Sequence, residues 1–253
     1  MSDQKNKARI PRQQRGIQTK KQIIEAAMKL FSEKGFDGTS VSEIAFEAEV
    51  TKALIYYYFK SKEQILDYHV QTLIDDITKI SLEFIQGHIV RMIREELLDI
   101  EPDKLHFTSE EAAESFIESI RVYYERILDY ALEHRALMRI LLTESLKKSK
   151  HHKDLLKLLD LAKDSDENPI FRTIFEADRD FNYSESMALF TFFYAILPLI
   201  NFAAYYDDYK AKTGLSDEIL RTDFLRSFQI ITGSLVLGRD IMLRNKAKPE
   251  RVE

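Results

Sequence analysis

Residues 39–62 read TSVSEIAFEAEVTKALIYYYFKSK, and this stretch decides the fold of the N-terminal part of the chain. It contains three residues that can cap the start of a helix, Ser40, Thr51 and Ser61, because a hydroxyl oxygen can accept from the unpaired N–H groups of a first turn. Two of these caps are followed three residues later by Glu or Gln, which is the spacing of a capping box. Three helix starts so close together predict short helices joined by tight turns.

Apolar residues recur at helical spacing inside this stretch and before it. The first short helix has one apolar face, formed by Val41, Ile44, Ala45 and Ala48. An upstream helix has a matching stripe, formed by Ile23, Ile24, Ala27, Leu30 and Phe31. Gly35 follows that stripe and suits a left-handed helix end. The pattern predicts a three-helix unit whose last two helices form a helix-turn-helix at about residues 40–59.

The third helix carries a second apolar and aromatic face that packing does not require. At roughly 100° per residue, Ile55 and Phe59 lie on one side and are predicted to be buried. The opposite side and its flanks hold Ala53, Leu54, Tyr56, Tyr57 and Tyr58. Such groups suit a DNA major groove, where apolar side chains meet thymine methyls and hydroxyls reach phosphates. The alternative is that the tyrosines are ordinary packing residues.

The segments TSVSEIA, AEVTKALIYYYF and SKEQIL resemble the DNA-binding region of tetracycline-repressor-like (TetR) transcription regulators, over about residues 18–70. The resemblance implies an all-α fold, with an N-terminal three-helix helix-turn-helix domain followed by a larger helical ligand-binding and dimerisation domain. It also implies DNA contacts at eight positions. By position, phosphate contacts fall to Ser40 and Tyr56, base-edge contacts to Lys52, Ala53, Leu54 and Tyr57, and backbone clamping to Tyr58 and Lys62.

Two features of the segment depart from the family pattern. Glu49 stands where the turn usually has Gly, so this residue is predicted to adopt a left-handed backbone at a cost of about 1 kcal/mol. Ala53 and Leu54 replace the common Gly-Thr pair, which removes a hydroxyl that could read a base. The operator sequence therefore cannot be transferred from the family.

The charge of the chain is distributed unevenly. The net charge is −5, but residues 1–70 carry +3 and the remainder −8. Seven basic residues and one acidic residue lie within the first 21 positions. This composition predicts a flexible basic arm at residues 1–17 that contacts phosphate or enters a minor groove, or else a merely solvated tail.

The remaining composition predicts a protein of two helical domains. The chain has no cysteine and few glycines and prolines, which excludes disulfides and thiol chemistry and favours long helices with short connections. A polar, basic N-terminus is not a secretory signal, so we expect a cytoplasmic protein. After the arm, we expect a DNA-binding domain at residues 18–64 and an effector-binding and dimerisation domain at 65–253, with a linker at 101–108.

Residues 187–206, MALFTFFYAILPLINFAAYY, carry no charge over a length that could span a bilayer. Thr191, Asn201 and a central Pro198 argue against a membrane span, so we predict a helix buried between the domain and a partner subunit. With the last helix it would form half of a four-helix homodimer interface, which is also what the resemblance implies. The predicted interface residues are Phe202, Phe228, Gly233, Ser234, Leu235 and Gly238.

A small-molecule site is predicted in the second domain, because twelve aromatic residues lie between positions 169 and 209. Pro198 removes a helical hydrogen bond, and the resulting kink can open space between helices. The site would suit a flat or long apolar effector. Its predicted lining consists of Phe116, Tyr123, Tyr124, Phe171, Phe175, Phe193, Tyr194 and Asn201. The alternative is that these rings are core and interface.

Other classes of protein are disfavoured. None of the six histidines follows a Glu at the Glu-x-x-His spacing of di-iron bundles, and the sequence has no Gly-rich phosphate loop and no GxSxG element. We therefore expect no metal, no cofactor and no enzymatic activity, and we retain an all-helical metal-binding or cofactor-binding enzyme as the weakest alternative. The other alternative is a DNA-binding dimer without an effector. Repression is expected because such proteins commonly repress.

Overall fold

The computed structural model describes residues 12–101, 104–182 and 184–237, and its regular elements are helices apart from one β-hairpin. The chain divides into two compact units, residues 1–71 and 72–253. The predicted division at residue 64 lies near the start of a helix that begins in the first unit and ends in the second. The first four helices are α1 (Arg12–Lys34), α2 (Val41–Glu47), α3 (Lys52–Tyr58) and α4 (Lys62–Phe84).

The first unit has the core that its apolar stripes predict. Residues with almost no solvent exposure come from each of its helices, namely Ile23, Ala27, Phe31, Ile44, Ile55, Phe59 and Ile65. Gly35 has φ of +77°, so the predicted left-handed end of α1 is confirmed. The Thr39 side chain secures the following loop, since its hydroxyl lies 2.9 Å from the Gly35 carbonyl oxygen.

The first helix overlaps the predicted N-terminal arm. Helix α1 begins at Arg12, so residues 12–17 are helical and the predicted flexible arm at 1–17 is wrong over that part. Lys20, one of the basic residues near this end, lies with its ammonium 4.2 Å from the centre of the Tyr68 ring. Residues 1–11 lie outside the described part of the chain.

The second unit contains the remaining helices and the hairpin. They are α5 (Val90–Arg94), β1 (Leu98–Glu101), β2 (Lys104–Phe107), α6 (Glu110–Glu133), α7 (Arg135–Ser145), α8 (Pro169–Ala177), α9 (Glu185–Phe190), α10 (Leu197–Thr213) and α11 (Asp217–Leu237). A 3-10 helix covers Leu155–Ala162. Two π-helical turns, Ile85–Ile89 and Thr191–Ile196, join α4 to α5 and α9 to α10.

The hairpin replaces the predicted linker at residues 101–108. Its antiparallel strands pair Leu98 with Phe107 and Asp99 with His106. Leu98 is buried while Asp99 and His106 are exposed, which is the period-two alternation of a half-buried sheet. Four-residue strands are too short to give a clear periodic signal, and Pro102 between them suggested irregular structure.

The helix at Ser186–Thr213, within the described residues, has the length and composition of a membrane span, although a third of its most apolar window is buried inside the chain. Its C-terminal part is charged and paired with α7. Arg135 donates to Asp207 at 2.7 Å, and Arg139 pairs with Asp208. The apolar part of this helix is therefore continuous with a segment that makes ion pairs within its own domain.

Candidate DNA interface and ligand cavity

The start of α2 is held by a complete capping box, as predicted. The Ser40 hydroxyl accepts from the Glu43 N–H at 3.2 Å, and the Glu43 carboxylate accepts from the Ser40 N–H at 2.9 Å. Lys34 on α1 donates to the same carboxylate at 2.7 Å. The pKa of Glu43 is lowered to about 2. The hydrogen bond from the Lys34 ammonium is the largest cause, and those from the Ser40 N–H and hydroxyl come next. Ser40, a predicted phosphate ligand, is exposed and stands at this helix start.

The low pKa of Glu43 predicts a pH dependence of domain stability. In the unfolded chain this carboxylate titrates near its ordinary pKa of 4.5, so its stabilising contribution is complete above that pH. It is lost as the pH falls from about 4.5 towards 2. We expect the Tm difference between wild type and Glu43→Gln to be largest near pH 6 and to shrink by pH 3. Thermal unfolding followed by circular dichroism tests this, and a difference independent of pH would contradict it.

The turn between α2 and α3 is a Schellman motif built on Glu49. The Val50 N–H donates to the Ala45 carbonyl at 3.0 Å, and the Glu49 N–H donates to the Phe46 carbonyl at 3.1 Å. Glu49 has φ of +54°, so the predicted left-handed backbone is confirmed. A side chain at this position is strained, because Cβ crowds the following carbonyl oxygen. The hydrogen bonds of the motif hold the turn in that conformation.

Relief of this strain should stabilise the first unit. We expect Glu49→Gly to raise its free energy of unfolding by about 0.5–1 kcal/mol, because Gly adopts φ > 0 freely but has more entropy in the unfolded chain. Glu96 provides a matched variant in the second unit. It has φ of +57° in a second Schellman motif, in which Leu97 donates to Met92 at 2.8 Å.

Amide hydrogen exchange of each variant would separate the two units. We expect Glu49→Gly to slow exchange in residues 1–71 and Glu96→Gly to slow it in residues 72–253. Faster exchange around the substituted turn would show that the Glu side chain stabilises it.

Helix α3 presents a face to solvent while two apolar residues hold it from behind. The Thr51 hydroxyl accepts from the Leu54 N–H at 3.2 Å and fixes the start of the helix. Ile55 and Phe59 are buried, as predicted. Four of the predicted contact residues on this helix are exposed, Lys52, Ala53, Tyr56 and Tyr57, and the Tyr57 side chain is 78% exposed. Leu54 and Tyr58 are half-buried, and the Tyr58 ring meets that of Tyr57 edge to face.

Lys62 is placed differently from what the resemblance implies. Its ammonium donates to the carbonyl oxygens of Phe36 at 2.8 Å and Thr39 at 2.9 Å, with Asp37 at 3.4 Å, and lies 4.6 Å from the centre of the Phe36 ring. These contacts use all three ammonium protons. In this geometry Lys62 holds the loop between α1 and α2, and its clamp on the DNA backbone stays a prediction.

Two lysine substitutions distinguish these roles. We expect Lys62→Met to lower the free energy of unfolding of the first unit by about 2–3 kcal/mol, because three carbonyl oxygens lose a charged donor. We expect Lys52→Met to leave stability unchanged, since Lys52 is exposed, but to reduce the salt dependence of DNA affinity by about one ion. Denaturant unfolding and binding at several salt concentrations measure both quantities. If Lys62→Met leaves the free energy of unfolding unaltered, the result would favour contact of Lys62 with the DNA backbone over a role in holding the loop.

Sequence reasoning overlooked Phe46, which is 86% exposed on α2. It lies outside the apolar stripe of that helix. An aromatic residue outside the stripe was the feature of the sequence that indicated an exposed ring. The second unit likewise contains Leu146, which is 85% exposed.

The second unit contains a cavity of about 390 Å³ that is partly open to its surroundings. Its wall is mainly aliphatic, with contributions from α4, α6, α9 and α10, the hairpin and both π-helical turns. Along α4 the lining residues recur at helical spacing as Leu73, Ile77, Ser81 and Phe84. A serine within an apolar stripe was the signal that this helix faces a site, and sequence reasoning missed it.

Of the eight residues predicted to line the effector site, three lie at this cavity. Phe116, Tyr123 and Tyr124 line the cavity. Phe171 is buried in the core and stacks on Phe175, and neither lines the cavity. The other three predicted residues, Phe193, Tyr194 and Asn201, are exposed on the helix surface. The prediction failed because ring-rich composition does not show which side of a helix faces inward.

The predicted dimer interface also changes. Phe228 is buried and packs edge-on against Tyr124 at 4.8 Å, so it belongs to the core of its own domain. Phe202 is half-buried and stacks on Phe224 at 3.9 Å. Gly233 is half-buried in α11, the side chains of Ser234 and Leu235 are not described, and Gly238 lies outside the described residues. The exposed apolar residues of this region are instead Leu189, Phe193, Tyr194, Tyr205, Ile230 and Ile231.

Comparison with known proteins agrees with this geometry. Residues 23–68 match the family model of bacterial regulatory proteins of the tetR family. The "Probable HTH-type transcriptional regulator YttP" of Bacillus subtilis is 40% identical over 92 residues, covering 36% of this chain and 44% of that protein. The biofilm operon icaADBC HTH-type negative transcriptional regulator IcaR of Staphylococcus aureus is 43% identical over 61 residues, covering 24% and 33%. The chain thus spans less than half the length of either relative.

The fold of the whole chain also has a solved counterpart. A Clostridium perfringens protein proposed to regulate fatty acid metabolism superposes with a TM-score of 0.52 at 18% identity, over 86% of this chain and 97% of that one. At this identity the likeness establishes a shared helical fold and nothing about the ligand.

Proposed function

We propose that this chain is a homodimeric transcriptional repressor of the TetR family, whose model residues 23–68 match, and that a small apolar effector releases it from a palindromic operator. The observation that carries the proposal is the outward face of α3. Lys52, Ala53, Tyr56 and Tyr57 are exposed together on a short helix that Ile55 anchors from behind. The family assignment places the chain among regulators and not among enzymes.

Reading of DNA by α3 follows from the chemistry of this face. Alanine can contact a thymine methyl, tyrosine hydroxyls can reach phosphates, and Lys52 adds a cation at the helix start. We propose that Ser40, Leu54 and Tyr58 contribute at the edges of this surface.

Dimerisation is proposed because one such helix reads only a few base pairs. Two copies related by a two-fold axis would read half-sites about 34 Å apart or more. The exposed apolar residues of α9, α10 and α11 and of the intervening π-helical turn support this assembly, since such side chains can be buried against a second copy. Burial of Phe193, Tyr205 and Ile230 between subunits would also account for the apolar helix without a membrane. A cytoplasmic location follows from a DNA partner.

Ligand control is proposed from the cavity. Helix α4 contributes Leu73, Ile77 and Ser81 to its wall and begins in the DNA-binding unit. A ligand that binds more tightly to a conformer unable to fit the operator would lower DNA affinity, and only by its differential affinity for the two conformers. A regulator without an effector is the second candidate, and a cavity of about 390 Å³ speaks against it. Repression is supported by the relative IcaR, a negative regulator.

Selection of bound sequences from random duplex DNA at fixed salt tests the proposal. We expect an inverted repeat, and we expect the purified protein to bind it as a dimer in sedimentation experiments. The salt concentration must be held constant, because nonspecific binding falls steeply with salt and could resemble selection. Absence of enrichment at every salt concentration would reject the DNA-reading role, while enrichment of a single half-site by a monomer would reject the dimer.

A further inference from the structure

Among the described residues, those that line the cavity of the second unit carry no charged side chain. Among the described residues its wall consists of aliphatic and aromatic groups together with serine, threonine and tyrosine hydroxyls. An ionised group placed inside would lose its hydration and find no opposite charge. The wall therefore favours a ligand whose buried part is neutral.

The hydroxyl groups that line the cavity differ in whether they already make a hydrogen bond within the protein. The Tyr123 hydroxyl lies 2.9 Å from the Ser81 hydroxyl, so one of these two groups donates to the other. The Tyr130 hydroxyl donates to Asp76 at 2.9 Å. In the part of the chain that the structure describes, the Tyr124 hydroxyl makes no hydrogen bond, although its residue lines the cavity. A tyrosine O–H in an apolar site ordinarily finds a partner.

Tyr124 is also held in place and kept neutral. Its ring packs edge-on against Phe228 at 4.8 Å and lies 5.2 Å from the ring of Tyr123. Burial raises the pKa of Tyr124, and the neighbouring Tyr123 raises it further. The phenol is thus a fixed, protonated donor at neutral pH.

Both π-helical turns of the second unit lie in the wall of the same cavity. The first contributes Ile85 and Ile89, and the second contributes Thr191 and Ala195. Such turns are rare in proteins and occur frequently at functional sites, where they reposition side chains. Their presence here indicates that the cavity is a built site and not a packing defect.

We propose that this cavity binds an uncharged, mainly aliphatic molecule whose carbonyl or ether oxygen accepts a hydrogen bond from the Tyr124 hydroxyl. The inference rests on the proposed function in that such a ligand would be the effector. The binding itself needs no DNA. Free fatty acids, alkylamines and other ionised amphiphiles are predicted to be poor ligands, even with a chain of the same length.

Four probes of equal chain length test the chemistry of the site: nonyl methyl ketone, undecane, undecanoate and undecylammonium. Their affinities for the full chain are measured by displacement of the fluorescent dye N-phenylnaphthylamine at pH 7, without DNA. We expect the ketone to bind at least 10-fold more tightly than either ion. We expect Tyr124→Phe to weaken ketone binding about 5- to 10-fold and to leave undecane binding unchanged. Tyr209→Phe, at an exposed tyrosine on α10, should alter neither.

Several outcomes would overturn the proposal: tighter binding of undecanoate or undecylammonium than of the ketone, equal ketone affinity for Tyr124→Phe and wild type, or no displacement by any probe. Circular dichroism melts confirm that Tyr124→Phe is folded. Operator release is measured separately. If the ketone binds but does not release DNA, the ligand chemistry stands and the effector role in the proposed function fails. If DNA selection fails while the ketone binds, only the DNA-reading role is lost.

Discussion

Tyr57→Ala is expected to reduce operator affinity by about 10- to 100-fold, because loss of one good contact to DNA costs about 1–3 kcal/mol. The side chain is 78% exposed on α3 and contributes little to the core. Its removal should therefore leave the Tm within about 1 °C of wild type. Affinities are measured by fluorescence anisotropy with the selected inverted repeat at one salt concentration.

Leu146→Ala is the matched control for this experiment. Leu146 is equally exposed but lies in the second unit, so its truncation should change neither operator affinity nor Tm. A Tyr57→Ala protein that binds the operator as tightly as wild type would show that α3 does not read DNA through this residue. A large drop in Tm would instead assign the tyrosine to packing.

Ile55→Ala is expected to lower the free energy of unfolding of the first unit by about 3–4 kcal/mol. The side chain is fully buried, so its truncation removes apolar contacts and leaves a cavity behind α3. Because a domain of this size is stable by only about 5–15 kcal/mol, this loss removes a large fraction of its stability. Denaturant unfolding and hydrogen exchange in residues 1–71 measure the loss.

Ile17→Ala makes the same chemical change on the surface of the same unit. Ile17 is 64% exposed on α1, so this variant should lie within about 0.5 kcal/mol of wild type. Equal stabilities for the two variants would mean that α3 is not anchored through Ile55.

Local features of the DNA-binding unit were predictable because they depend on neighbouring residues. The capping box at Ser40 and Glu43, the left-handed Gly35 and the strained Glu49 each involve backbone groups within a few positions. The burial of Ile55 followed from helical periodicity. The capping box predicted at Ser61 and Gln64 was only half right. Gln64 donates its N–H to Ser61 at 3.4 Å, but the Gln64 side chain accepts from Lys60, one residue before the cap.

Features that depend on distant residues were predicted poorly. Lys62 donates to carbonyl oxygens more than 20 positions away, and nothing near Lys62 in the chain signals that partnership. The short hairpin at residues 98–107 owes its formation to burial of Leu98 and Ile100, which local propensity does not show. Composition located the aromatic residues of the second unit but not the side of each helix that faces inward.

By itself the sequence determined the class of fold, the helix-turn-helix and the face that α3 presents, because capping and periodicity are short-range effects. The tertiary structure alone decided the cavity, its mainly aliphatic wall and, within the described residues, the lack of charge in that wall and of a partner for the Tyr124 hydroxyl. A cavity is the space that packed helices leave between them, and it depends on residues from α4, α6, α9 and α10 meeting across long distances in the chain. Volume and charge of that space are properties of the packing, and no single segment encodes them.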